Sequence, residues 1–173
     1  VGQEALGSKL FFVFGTHDTK GAELAGAYKN VIAIASGVLD GKGLGRNIQG
    51  MLITRGLREM VYFGKLLGSS SRAFIGTSGI GDLVATATSS SSRNFSFGCR
   101  LAKGESVDEI LKSTDEEIEG LRTLKIAEEL AKSYNIHAPI TRILYRVVYE
   151  NLNIDRAIMD LMRFPYAPDV DFL

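Results

Sequence analysis

Lys29 lies in Leu24-Ala25-Gly26-Ala27-Tyr28-Lys29-Asn30-Val31-Ile32-Ala33-Ile34, where only Asn30 among its neighbours is also polar. A lysine in such a run has two uses. It can cover apolar surface with its stem and keep the ammonium in water, which composition alone favours. Held in an apolar setting, it can instead have a lowered pKa and exchange a proton near neutral pH. Asp82, in Gly79-Ile80-Gly81-Asp82-Leu83-Val84, reads as an N-cap after a glycine turn or as the carboxylate that orients such a lysine. Ser92-Arg93-Asn94 ends a serine run and opens a helix. Backbone N–H groups, a guanidinium and an amide suit a small anion there; a capping turn with a solvated arginine suits the pattern equally. Glu119-Gly120 stands where the helix dipole favours an acid. His17 and His137 are isolated from any ligand spacing, and without HExxH or a cysteine cluster no metal is expected.

Two glycine clusters imitate phosphate loops. Gly41-Lys42-Gly43-Leu44-Gly45 has Arg46 where G-x-G-x-x-G needs glycine, and a helix rather than a strand precedes it. It reads as a helix-ending turn. Gly76-Thr77-Ser78-Gly79-Ile80-Gly81 fails the spacing and lacks a following Lys-Ser/Thr. No cofactor phosphate loop is therefore expected in this chain.

The elements that would position these residues are mostly helical. Leu24, Tyr28, Val31, Ala35 and Val38 make an apolar stripe at helical spacing over 19–40; Ile32 and Ile34 widen it, so this helix is expected to be buried on more than one side. Ile53, Leu57, Met60, Val61 and Leu67 repeat it over 47–67, with Arg55 and Glu59 spaced to pair on the polar side. Further helices are predicted near 94–103, 106–112, 120–134, 139–151 and 154–162. Ser106 to Glu109 forms a capping box, Pro139 fits a first turn and Asn153 an N-cap. Residues 69–94, rich in Ser, Thr and Gly, read as a flexible loop or linker. Lys9-Leu10-Phe11-Phe12-Val13-Phe14 reads as a buried strand, the only one its pattern predicts. A lone strand cannot satisfy its backbone, so it reads as the end of a sheet domain lying elsewhere.

Composition sets limits. The 173 residues carry 20 basic and 20 acidic side chains, so there is no electrostatic footprint of a nucleic-acid binder. The longest apolar stretch, Val31 to Leu39, is too short to span a bilayer. Cys99 is the only cysteine, which fits a reducing compartment and a cytoplasmic location.

Five blocks together resemble one family. Glu23 to Gly37, Leu52 to Met60, Gly79 to Thr86, Ser92-Arg93-Asn94 and Ile118-Glu119-Gly120 are similar, in order and approximate spacing, to NAD(P)-dependent glycerol-3-phosphate dehydrogenase of the bacterial type. The resemblance runs from about Phe11 to about Pro165 and covers only the family's C-terminal, all-α substrate domain. It implies a mainly α, multi-helical domain of the 6-phosphogluconate-dehydrogenase-like type over 19–173, with 1–18 the remnant of a Rossmann domain. It implies Lys29 as proton donor and acceptor, Asp82 beside it, and Thr86, Asn30, Ser92, Arg93 and Asn94 around a phosphate substrate. Arg93 and Glu119 would also approach the cofactor, NAD or NADP, whose main site would lie on the N-terminal domain. Departures fall at Tyr28, where the family commonly has Leu, at Glu117, and over 16–20.

The resemblance thus implies the substrate half of an enzyme interconverting glycerol 3-phosphate and dihydroxyacetone phosphate, inactive by itself and compatible with a homodimer. The alternatives are the helical domain of another hydroxyacid dehydrogenase and a non-catalytic helical assembly module.

Overall fold

The computed structural model describes residues 2–163. The end of the resemblance near Pro165 and the last part of the 19–173 domain lie outside them. Ten α-helices occur among the described residues: α1 (Gly2–Leu6), α2 (Thr19–Gly41), α3 (Gly45–Leu66), α4 (Arg72–Ile75), α5 (Asp82–Ala87), α6 (Arg93–Ala102), α7 (Val107–Lys112), α8 (Glu119–Tyr134), α9 (Pro139–Tyr149) and α10 (Ile154–Met162). A π-helical turn, Thr77–Gly81, joins α4 to α5.

Helix α2 is the axis of the domain. Asp18 caps it, accepting from Gly21 N at 2.9 Å. From Asn30 to Leu39 every residue is buried, so the helix is packed on all sides, as the widened stripe predicts. Each fully buried Val or Ile there contributes about 1.5–3 kcal/mol relative to exposure. The helix stops where predicted, because Gly43 and Gly45 adopt φ of +70° and +76°, a region that glycine enters without steric cost.

Helix α6 crosses α2 through reciprocal glycines. A Cβ on Gly37 would strike the Phe95 carbonyl, and one on Gly98 would strike the Ile34 carbonyl. Removing both side chains lets the backbones touch, which sets Asn94 at the head of α6 beside the Asn30–Ile34 turn of α2. Helix α3 also packs on α2, its Gly56 lying against Ile32.

Two sequence expectations need correction. Residues 9–14 are not a strand, and no strand occurs among the described residues. Leu10, Phe12 and Phe14 are exposed at 95%, 74% and 75%. Without a second strand there is no ladder to satisfy the backbone; local bonds such as Gln3 Nε2 to Val13 O, 3.0 Å, hold the segment instead. Nor is 69–94 a linker: it holds α4, the π-turn and α5, with Phe74, Leu83 and Ala87 fully buried. Composition concealed this because a few apolar residues anchor a Ser- and Gly-rich chain. Gly79 is needed there, since a Cβ would come within 2.5 Å of Phe74 Cα.

Candidate active site

The lysine and the acid predicted 53 residues apart meet. Lys29 Nζ lies 2.5 Å from Asp82 Oδ2, with the two side chains 22% and 39% exposed. The π-turn delivers this contact. Asp82 has helical φ and ψ of −69° and −34° at the junction of the π-turn and α5, so the reading of it as an N-cap is not what the structure has. Thr86, one turn on, donates to the Asp82 carbonyl at 2.7 Å, with its Oγ1 3.4 Å from Asp82 Oδ1. The carboxylate is thereby held with one oxygen on the ammonium. Asp82 also lines an open cleft of about 1550 Å³ between the π-turn and the 11–18 segment. The ammonium is neither buried out of reach nor free in solvent, which is the setting a proton-transfer group needs.

A second group lies one residue along α2. Asn30, 5% exposed, donates through Nδ2 to Glu119 Oε2 at 3.1 Å. Asn94, 7% exposed, accepts through Oδ1 from Gly120 N at 3.0 Å. The start of α8 is thus tied to α2 by Glu119 and to α6 by Gly120. Ser92 caps α6, its hydroxyl accepting from Phe95 N at 3.3 Å. Arg93 points elsewhere: its guanidinium pairs with Glu116 and lines a separate pocket of about 220 Å³ with Ser90 to Ser92 and Arg100. The structure therefore gathers Lys29, Asp82 and Thr86 in one cluster and Asn30, Glu119, Asn94 and Gly120 in the next. It leaves Arg93 turned away from both.

The family model described as the C-terminus of NAD-dependent glycerol-3-phosphate dehydrogenase matches residues 18–159. The chain belongs to this family. Glycerol-3-phosphate dehydrogenase [NAD(P)+] of Staphylococcus aureus is 45% identical over 150 residues, covering 87% of this chain and 45% of that protein. The chain spans under half the length of the curated relatives it matches. The crystal structure of glycerol-3-phosphate dehydrogenase from Coxiella burnetii aligns with a TM-score of 0.87 at 37% identity, over 93% of this chain and 50% of that one. The yeast glycerol-3-phosphate dehydrogenase structure aligns at 0.84 and 25% identity, over 93% and 47%. Among the described residues no helix is long and apolar enough to cross a membrane.

In this glycerol-3-phosphate dehydrogenase domain, sequence reasoning missed one polar centre. Glu59, expected to pair with Arg55 on the solvent side, is 2% exposed. Its Oε1 accepts from Ile140 N at 2.6 Å; its Oε2 contacts Thr141 N at 3.1 Å, Thr141 Oγ1 at 2.9 Å and Tyr28 Oη at 2.7 Å. Tyr28 Oη and Thr141 Oγ1 are themselves 2.5 Å apart. That triangle has three edges, and the two hydroxyls supply only two hydrogens. The third edge therefore has no hydrogen of its own unless Glu59 carries a proton. Burial acts in the same direction, pushing the carboxyl above its usual range against the lowering effect of its donors. The available signal was at the other end of the chain: α9 opens with Ala138-Pro139, which offers no capping side chain of its own.

Proposed function

We propose that this chain is the substrate-binding half of a dehydrogenase that interconverts glycerol 3-phosphate and dihydroxyacetone phosphate with NAD or NADP. The observation that carries the reading is the Lys29–Asp82 contact at 2.5 Å beside an open cleft. Reduction of the ketone adds a hydride to carbon and a proton to oxygen. Lys29 Nζ supplies that proton as the C=O bond becomes C–OH, and in the reverse direction takes it from the hydroxyl. Asp82 aims the ammonium, while Thr86 steadies Asp82. The nicotinamide, when bound, supplies or accepts the hydride.

The residues present fit one side of such a cofactor rather than a whole cradle. Among the described residues no strand leads into a glycine loop and helix, the arrangement that holds a pyrophosphate. Asn30 and Glu119 offer an amide and a carboxylate next to Lys29, suited to the nicotinamide end. The main NAD or NADP site then belongs to the part of the relatives that this chain does not span, and the chain alone is expected to be inactive. On the substrate side, Ser92, Arg93 and Asn94 bind the phosphate. Arg93 must leave Glu116 to do so. That pair is 46% and 67% exposed, and exposed pairs contribute only about 0–1 kcal/mol, so a phosphate can displace it through two parallel N–H bonds. The single cysteine fits a cytoplasmic enzyme. Pairing as a homodimer would cover apolar side chains such as Tyr149 and Met159, which are exposed on α9 and α10.

The test is Lys29→Met in the complete protein. Turnover falls by about 10²–10⁴-fold, the usual contribution of a placed general acid, with an unchanged circular dichroism spectrum. Wild-type turnover in the variant would sink the catalytic reading.

A further inference from the structure

The head of α8 does more than end a loop. Ile118 precedes it and gives no side-chain cap, so the Gly120 N–H would be an orphan donor without help. Asn94 Oδ1 meets it at 3.0 Å. The contact decides the orientation of the amide, because a flipped Asn94 would set a donor against a donor. Every buried side-chain nitrogen or oxygen among the described residues has a partner. No protein group among them accepts from Asn94 Nδ2, so that nitrogen reaches the surface.

Gly120 is also the only residue type that fits. A Cβ would stand 2.6 Å from Asn94 Oδ1, 2.7 Å from Ile34 Cδ1 and 2.9 Å from the Asn30 carbonyl. It would push into the Asn94 amide and the turn of α2 that carries Lys29.

We propose that Gly120 is a positioning residue for substrate: its N–H holds the Asn94 carbonyl, so that Asn94 turns only its N–H donors to the phosphate, in register with Lys29. This rests on the functional reading above. The device explains how one side chain serves two masters without conflict. The oxygen end fastens α8; the nitrogen end is left for an oxyanion. Because Gly120 also abuts the Asn30 carbonyl, the anion side and the lysine side of the site are set by one backbone contact.

Gly120→Ala is the direct variant, but its three close contacts can cost the fold. Two substitutions at Asn94 in the complete protein keep the idea testable. Asn94→Asp retains an oxygen for Gly120 and loses the donors; Asn94→Ala loses both. Amide hydrogen exchange at Gly120 reads the cap, and steady-state kinetics with glycerol 3-phosphate reads the donor. In Asn94→Asp the Gly120 amide stays protected while KM rises at least tenfold and kcat changes by less than threefold. In Asn94→Ala KM rises similarly and Gly120 exchanges at least tenfold faster. An unchanged KM in Asn94→Ala overturns the donor role. Unchanged Gly120 exchange in Asn94→Ala, or lost protection in Asn94→Asp, overturns the positioning role. Lys29→Met separates this from the proton-transfer reading: if it abolishes turnover while the Asn94 variants behave as wild type, this inference and the phosphate role of Asn94 fail while proton transfer by Lys29 stands, and if it retains turnover the proton-transfer reading fails first.

Discussion

Helices α8 and α9 begin in the same way and are finished differently. Neither has a capping side chain of its own, since Ile118 and Ala138 precede them. Each takes a cap from a distant helix: Asn94 of α6 for α8, and Glu59 of α3 for α9. At α9 both carboxyl oxygens are used, and Tyr28 and Thr141 close the remaining valences in a buried triangle. At α8 only the oxygen of the amide is used, and its nitrogen is left over. A polar group with every valence filled has nothing to offer a ligand and fixes the fold. One with a valence in reserve at the surface can do both.

The comparison is broken most forcefully at Glu59. Glu59→Ala strips the cap from α9 and leaves two backbone N–H groups and one hydroxyl without an acceptor, since the Tyr28 and Thr141 hydroxyls can still bond each other. Buried donors left unsatisfied cost about 1–3 kcal/mol each and do not add fully, so the expected loss is about 3–5 kcal/mol. Asn94→Ala removes a single acceptor and should cost about 1–2 kcal/mol. Urea unfolding of both variants decides the matter. Equal losses would mean that the two helix starts are not different in kind.

Glu59→Gln sharpens the same contrast and should cost less than Glu59→Ala, about 1–2 kcal/mol. A neutral amide can donate to the hydroxyls in place of the single hydrogen of a protonated acid, though it meets the Thr141 N–H less well. The pH dependence has a definite sign. The folded carboxyl is raised above its unfolded value of about 4.5, so its contribution is full below that pH and declines as pH rises through the folded value. The stability advantage of wild type over Glu59→Gln should therefore shrink from pH 4 toward neutrality. An advantage that grows with pH would mean that Glu59 is ionised in the folded protein.

The long helices were legible because a 3.6-residue period is a local property. Ser106 and Asn153 were legible as caps for the same reason, and both make their bonds. Lys29 and Asp82 were legible as candidates from their surroundings, but their meeting depends on a π-turn that no local pattern announced. Glu59 was misread because spacing rules see only its own helix. Arg55 lies four residues away in sequence, whereas its real partners Ile140 and Thr141 lie 81 and 82 residues away. The strand at 9–14 failed for the opposite reason: its pattern was clear, but the backbone partners a strand requires are not present.

A third helix start, that of α2, completes the series as the local and half-buried case. Asp18 accepts from Gly21 N through Oδ1, and through Oδ2 from Ser69 Oγ at 2.7 Å and Ser70 N at 2.8 Å. The same carboxylate caps its own helix and ties down the segment once read as a linker. The Ser69 hydroxyl, followed by the Gly21 amide, holds its pKa down at about 2, from an ordinary 3.8. A depressed carboxylate stabilises the fold above its unfolded pKa and loses that contribution as pH falls through its folded value. Wild type should therefore be more stable than Asp18→Ala at pH 5, with the difference fading between about pH 4 and pH 2. This effect should be the smallest of the three helix starts, because Asp18 is only half-buried and water replaces its lost acceptor more readily than at Glu59 or Asn94. Thermal melts of the pair across that range test it. A difference that persists unchanged at pH 2 would show that Asp18 acts through its shape rather than its charge.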